Sequence, residues 1–321
     1  MIADAAALVD HPSGFLALSS RNMRFTSDGV PGFIAYRERG RHLVAFGGVH
    51  SMSSTRGLLL DRFLDHARGR SRRVIAVQVR EGQVALFRSR GFRVNQLGTT
   101  FGLSLDRFKL SGADRMQLRN KISRARRAGL SVVELGRDVP RDDTTFAELS
   151  AVSSSWLRGK GQDELDFMIG ELGDPHDARR RIFAARDGAG RIVAFITYVP
   201  AWGEAPGYLH DLTRRLPDAP AGAMELINAH AIALMSTEGV SVLHFGFTPF
   251  IVGGVEPAGA SRPAAWLIRQ LARHGAMLYP ALSQACYKLK WGPDIVEREY
   301  LAARPLSIRG IFDVLRLTRS L

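Results

Sequence analysis

The chain has 321 residues, 45% of them apolar and 23% charged, which is length enough for two domains of about 100 to 200 residues each. Its formal net charge of +13 attracts polyanions and raises their encounter rate, so nucleic acid or an anionic membrane face is expected as a partner. No apolar run approaches the roughly 18 residues of a bilayer span, and the first residues carry no basic region or long apolar stretch of a secretory signal. The single Cys286 excludes an internal disulfide and a cysteine zinc cage. The nine histidines are scattered with no His-x-x-x-His pair, so no metal is expected and the protein reads as cytoplasmic.

Strand patterns at 32–36 and 42–46, joined by a basic turn at 37–41, predict a hairpin. A helical pattern at 55–67 puts Leu59, Phe63 and Ala67 on one face, and the apolar run 74–79 reads as a buried strand. A helix over 81–89 is stopped by Gly91, which supplies the left-handed cap, and the chain re-enters a strand through Phe92 and Val94. That order is the one seen in the C-terminal part of an acyltransferase domain. The second half repeats it: strands at 191–200 and 208–212 across a turn at 202–207, a helix over 222–237 ending at Gly239, and a strand at 240–245. The expected fold class is α/β (α+β), with units at 1–135 and 136–321.

Between the halves, residues 110–129 read as a helix opened by Ser111 that carries Arg115, Arg119, Lys121, Arg124, Arg126 and Arg127. Arg115, Arg119 and Arg126 share a face at spacings of four and seven, with Arg124 and Arg127 about a quarter turn away. A solvated helix face is the plain reading. A stripe with almost no acid also suits a phosphate backbone, each contact adding salt-dependent affinity without reading sequence.

Four places could carry chemistry. In the strand around Tyr208-Leu209-His210-Asp211-Leu212, alternation sets Tyr208, His210 and Leu212 on one face and Leu209 and Asp211 on the other. Asp211 there either holds an ammonium group or closes the strand end as a structural Asp–Arg pair. The following loop, Pro217-Asp218-Ala219-Pro220-Ala221-Gly222, stands where CoA-dependent enzymes cradle a pyrophosphate, but its prolines donate no N–H and its acid repels phosphate. His244, on a strand running into Gly246 and Pro249, reads as a core histidine with catalysis as a spare role. The last place, Tyr287-Lys288-Leu289-Lys290-Trp291, reads as a strand with Lys288 and Lys290 on one face beside Cys286; it is either a solvated edge or a cationic wall for an oxyanion or phosphate. Cys286 itself reads as packing.

Together these motifs resemble the C-terminal synthase domain of the lysylphosphatidylglycerol synthase (aminoacyl-phosphatidylglycerol synthase) family. The resemblance runs over most of the chain in Gln96-Leu97-Gly98, Phe108-Lys109-Leu110-Ser111-Gly112, Trp156-Leu157 with Glu164 and Phe167, and Arg191-Ile192-Val193-Ala194-Phe195. It continues in Asp211-Leu212-x-Arg214, Pro217-Asp218-Ala219-Pro220-x-Gly222-x-Met224, Gly246-x-x-Pro249, Tyr287-Lys288-x-Lys290 and Arg298-x-Tyr300-Leu301. It implies tandem GNAT-like acyltransferase domains, each a mixed sheet flanked by helices, with aminoacyl-tRNA as co-substrate and no other cofactor. It further implies catalysis by Asp211, Arg214 and Lys288, and substrate contacts from Glu164, His210, Tyr287, Lys290 and Thr248. The basic helix at 115–127 would then take the tRNA.

Members of the family carry Gly-Asp-Pro after the first hairpin, two glutamates after Leu-Gly and a Trp-x-Pro-Arg-Tyr ending. Gly47-Gly48-Val49, Thr99-Thr100 and Val296-Glu297-Arg298-Glu299-Tyr300 stand at those places here. The departures leave two acceptor classes open, a phosphatidylglycerol-type lipid and a small-molecule natural-product intermediate. An acetyl-CoA-dependent N-acyltransferase and a non-catalytic RNA-binding module remain as alternatives. At the end of the chain, Ile308, Ile311, Phe312 and Leu315 share a helical face, with Arg309, Arg316 and Arg319 elsewhere. That face either docks on the protein's own core or makes a peripheral contact with the inner membrane face.

Overall fold

A computed structural model describes residues 6–160, 170, 172–173, 177–274, 281–304 and 308–317. In the first half the strands are β1 (Met23–Ser27), β2 (Val30–Arg39), β3 (His42–His50), β4 (Arg73–Arg80) and β5 (Arg93–Ser104). Helix α1 (Ser53–Gly69) links β3 to β4, and α2 (Glu81–Arg88) links β4 to β5. Leu59, Phe63 and Ala67 are buried on α1 as their spacing requires, and Gly91 takes the positive φ of 78° that ends α2.

After β5 come α3 (Met116–Arg127), β6 (Ser131–Glu134) and α4 (Asp143–Lys160). The predicted helix over 110–129 is shorter at its start. Residues Ala113–Arg115 form a 3-10 turn, Arg115 is the N-cap, and Ser111 lies outside the helix. The second half then runs β7 (Arg181–Arg186), β8 (Ile192–Ala201), β9 (Gly207–Arg215), α5 (Ala223–Thr237) and β10 (Val242–Pro249). It closes with α6 (Arg262–His274), α7 (Ala281–Leu289), β11 (Ile295–Ala303) and α8 (Ile308–Leu317).

The strands form one mixed sheet of eleven, in the order β1-β2-β3-β4-β11-β5-β10-β9-β8-β7-β6, flanked by helices. The two halves meet where β5 pairs antiparallel with β10. Strand β11, last in the chain, inserts between β4 and β5 and pairs antiparallel with both, so the end of the second half completes the sheet of the first.

Among the described strands only two pairs are parallel, β3 with β4 and β9 with β10, and each is the pair bridged by a helix, as a parallel connection demands. Each pair is bonded over part of its length and then parts, which creates two splays in equivalent positions. In the first, β3 and β4 separate after Phe46 and Val77. The chain's own N-terminal segment closes that gap: His11, fully buried, points Nε2 at the Gln78 carbonyl 3.1 Å away, and Gln83 from α2 clamps the backbone N–H and C=O of Val49.

The C-terminal helix docks on the core, but through Asp313, Val314 and Leu317, on the side opposite the expected face of Ile308, Ile311, Phe312 and Leu315; of that face the side chains of Ile308, Phe312 and Leu315 lie outside the described residues. Asp313 is buried on α8 with its Oδ2 2.7 Å from His42 Nδ1, and Val314 and Leu317 pack against the apolar cluster beneath β2 and β3.

Candidate active site

The second splay opens where β9 and β10 part after Leu209 and His244. Two irregularities shape it. Strand β9 bulges against β8 between His210 and Thr213, and β10 bulges against β5 at Gly246, whose φ is 72°. The first bulge breaks the expected alternation. Leu212 packs with Leu149 and Val152 of α4, on the face opposite His210, instead of sharing a face with Tyr208 and His210.

Asp211 lies beside that bulge with both carboxylate oxygens engaged. Oδ2 pairs with Arg180 and accepts a hydrogen bond from Thr197 at 3.4 Å, and Oδ1 accepts the Gly170 N–H at 3.0 Å. The side chains of Arg180 and Asp211 are 1% and 3% exposed, so this is a buried ion pair. The structure therefore draws the Asp–Arg pair that spacing left open, with Arg180 as partner in place of Arg214. Arg214 is itself buried and stacks its guanidinium 4.2 Å from the Trp156 ring centroid.

Residues 281–289 form helix α7, which corrects the strand reading of Tyr287 to Trp291. Helical geometry puts Lys288 and Lys290 about 200° apart, so they are no cationic wall. Lys288 points inward and its Nζ reaches Gly246 O at 2.8 Å, Phe247 O at 3.0 Å and Thr248 Oγ1 at 2.8 Å. Burial depresses its pKa to about 7, against the opposing charge of Glu299. Its three partners match the three donors of an ammonium group, and they pin the open end of β10. Lys290 instead bonds Glu225 at 2.5 Å and lies 3.9 Å over the Tyr287 ring. Cys286, expected in packing, is exposed.

Between these anchors sits a box of rings. His210 lies 5.5 Å from Tyr198, 6.0 Å from Phe245 and 6.0 Å from Tyr287, and Trp291 closes the far side at 6.4 Å from Tyr287. Tyr198 donates to Asn228 Oδ1 at 2.7 Å. Four buried polar atoms of this box, His210 Nε2, Tyr287 OH, Asn228 Nδ2 and Trp291 Nε1, make no hydrogen bond of good geometry, with the Trp291 side chain acting as a weak hydrogen-bonding neighbour of the Tyr287 hydroxyl. Orphaned polar atoms are costly in a folded interior, and this group of them makes the box a candidate site; His50 Nε2 and Gln78 Oε1 at the first splay are orphaned too. Burial, helped by the charge of Lys288, lowers the His210 pKa to about 4, so its imidazole is neutral at pH 7. Burial also raises the Tyr287 pKa well above its usual value, so the phenol keeps its proton.

The start of α5 is covered. A Cβ on Gly222 would meet the Lys121 backbone oxygen of α3 at 2.1 Å, and Glu225 in the first turn pairs with both Lys290 and Lys121. Burial works against the charge of Glu225, but the hydrogen bond and charge of Lys290 and the charge of Lys121 hold its pKa below the ordinary range. A phosphate would find neither free N–H groups nor a favourable field there.

The six basic residues of the 115–127 segment divide by role. Arg119 donates to the carbonyls of Leu110 and Gly112, and Arg115 packs against Gly292, so both serve the fold locally. Arg124, Arg126 and Arg127 are exposed, as is Lys121 beside Glu225. Glu164 lies outside the described residues. His244 is a core histidine: it is buried, and its Nε2 sits 2.8 Å from Ala205 O.

Sequence reasoning missed Arg180, which follows a segment without periodic signal. It also missed Glu225 and Asn228, whose signal was legible as two polar residues three apart in the otherwise apolar AMELINAHAIALM helix. A second buried network escaped as well. At the seam of the halves Thr100 donates to Glu299, His11 Nε2 lies 3.5 Å from the same carboxyl, and burial raises the Glu299 pKa to about 7.

Two helix-bridged parallel strand pairs, each opening into a splay within one mixed sheet, define a tandem acyltransferase-like α/β protein. The profile of the family described as "Phosphatidylglycerol lysyltransferase, C-terminal" matches residues 5–303, and the chain belongs to that family. Among curated relatives, the lysylphosphatidylglycerol biosynthesis bifunctional protein LysX of Mycolicibacterium gilvum is 33% identical over 165 residues, which is 51% of this chain and 15% of that protein. The chain thus matches only a small part of that longer relative. Among solved structures, L-PGS from Bacillus licheniformis superposes with a TM-score of 0.81 at 24% identity, covering 99% of this chain and 94% of that one. The C-terminal domain of a putative lysylphosphatidylglycerol synthetase from Agrobacterium fabrum gives a TM-score of 0.82 at 22% identity, covering 99% and 96%. At such identity the structures show a shared fold.

Proposed function

We propose that this chain is an aminoacyltransferase that moves an aminoacyl group from an aminoacyl-tRNA to a hydroxyl of a phosphatidylglycerol-type lipid. The observation that carries the reading is the family match across residues 5–303. In the reaction, the acceptor hydroxyl attacks the aminoacyl ester carbonyl, a new ester forms, and the bond to the tRNA ribose breaks. The proton lost by the acceptor ends on the departing ribose oxygen, and no covalent enzyme intermediate is needed.

The orphaned polar atoms of the second splay fit this chemistry. The Tyr287 hydroxyl and the Asn228 amide are donors suited to a developing oxyanion, and the neutral His210 Nε2 can accept the acceptor's proton. Asp211 with Arg180 and Lys288 with Thr248 are positioning residues, holding the bulged ends of β9 and β10 apart. Arg124, Arg126 and Arg127 are suited to tRNA phosphates. The covered N-terminus of α5 speaks against acetyl-CoA as donor.

The test is transfer of label from a panel of aminoacyl-tRNAs to phosphatidylglycerol vesicles. Label should appear in lipid with at least one charged tRNA. If every tRNA keeps its label, the proposal is wrong.

A further inference from the structure

Helix α6 presents a surface that neither the core nor the proposed site uses. Its buried side is Ala264, Ala265 and Ile268. On the other side Arg262, Trp266, Arg269 and Arg273 recur at spacings of four, three and four, which confines them to an arc of about 60°. All four are exposed, Trp266 to 59%, and α6 carries no acidic residue. Among the described residues, the three arginines make no ion pair or hydrogen bond and the indole makes no ring contact. The loop leading into α6 adds Val255, 86% exposed. These four side chains form one continuous exposed basic and aromatic face that nothing among the described residues covers.

We infer that this face of α6 docks on the surface of an anionic lipid bilayer, with Trp266 seated at the headgroup level and Arg262, Arg269 and Arg273 on lipid phosphates. The pattern is that of an interfacial helix, an aromatic anchor within a basic stripe, and its charge is complementary to an anionic leaflet. A nucleic-acid contact is the less suited use: the exposed arginines of α3 carry no aromatic neighbour on their helix, whereas α6 and its loop expose apolar groups that gain nothing from a phosphate backbone. The position fits as well. Ser261, just before α6, exchanges hydrogen bonds with Asn95 of β5, three residues from the Gly98 that pairs with Pro249 at the open end of β10, so α6 starts close to that end. The inference deepens the lipid-acceptor reading, and vesicle binding tests it without any aminoacyl donor.

The experiment is co-sedimentation of the full chain with vesicles of phosphatidylcholine alone or mixed with phosphatidylglycerol, at low and high salt, alongside tRNA gel shifts. The chain should bind the anionic vesicles. Each of Arg262→Gln, Arg269→Gln and Arg273→Gln should weaken that binding about fivefold at low salt, with the difference shrinking at high salt. Trp266→Ala should weaken it at both salt levels. These side chains are exposed, so unchanged thermal melts are expected and serve as the folding control. If the α6 variants bind vesicles like the wild type, or lose tRNA binding while keeping vesicles, the inference is overturned. If vesicles bind through α6 but no charged tRNA yields lipid product, the surface stands and the proposed reaction falls.

Discussion

The two splays occupy equivalent places in one sheet, yet one is shut and the other is furnished. In the first, His11, His50, Gln78 and Gln83 are each 5% exposed or less, and the N-terminal segment fills the gap between β3 and β4. Orphaned polar atoms occur in both, His50 Nε2 and Gln78 Oε1 in the first, but in the second they belong to rings and an amide packed around His210, and no N-terminal segment fills the gap among the described residues. A duplicated topology therefore need not mean duplicated chemistry. The strands of the first half hold β11 and the seam in place.

The largest effect expected is on the anchor of the second splay. Asp211→Ala leaves Arg180 charged and buried, so unfolding in denaturant should show a loss of about 3–5 kcal/mol. Its effect on transfer then follows from the collapse of the β9 bulge, and Thr197→Val, which removes a hydroxyl that accepts from Arg180 and the Leu212 N–H and donates to Asp211 but leaves the ion pair in place, should cost less. Next is Tyr287→Phe. It deletes a hydroxyl whose hydrogen-bonding neighbour is the Trp291 indole, so stability should fall by no more than about 1 kcal/mol while transfer falls roughly a hundredfold. A large stability loss in that variant would show that the hydroxyl is structural.

The pH dependence separates the splays further. Burial depresses His11, and lowers His50 and His210 to about 4. The unfolded chain therefore binds more protons between about pH 4 and 6.5, and these histidines take stability away as pH falls through that window. Glu299, raised to about 7, works the other way between about pH 4.5 and 7. Lys288, depressed to about 7, adds stability as pH rises from 7 toward 10.5. Chemical denaturation across pH should show that alkaline limb in the wild type and its flattening in Lys288→Met. The smallest stability effect is on α3: Arg124→Gln, Arg126→Gln and Arg127→Gln together should leave stability within about 0.5 kcal/mol. They should lower the salt slope of tRNA binding by roughly one unit for each phosphate no longer neutralised.

Much of the scaffold was legible from local pattern, because α1, α2, α5 and strands β2, β3, β4, β8 and β10 show their pattern in the apolar residues they bury, while β9 is legible as a strand only up to its bulge. The failures were of two kinds. Tyr287 to Trp291 alternates aromatic or apolar residues with lysine, which suits a strand of period two, and the helix is decided by Ala285 and Lys288 burying three residues apart. The site's anchors depend on distant pairing: Arg180 meets Asp211 through a loop, His11 meets Glu299 across most of the chain, and β11 pairs with β5 nearly two hundred residues away. No local signal encodes such pairings. Asp211, Lys288, His210 and Tyr287 were nonetheless singled out before the structure placed them around one splay, the first two in buried contacts with Arg180 and with Gly246 and Thr248.

The most direct measurement follows labelled aminoacyl-tRNA in the presence of phosphatidylglycerol vesicles with three proteins: the wild type, a second-splay variant Tyr287→Phe, and a first-splay variant Gln83→Ala. Label should move to lipid with the wild type and with the folded Gln83→Ala protein, and it should stay on tRNA with Tyr287→Phe. Transfer that survives Tyr287→Phe but is lost in a folded Gln83→Ala protein would place the chemistry in the splay described here as closed, and would contradict the account.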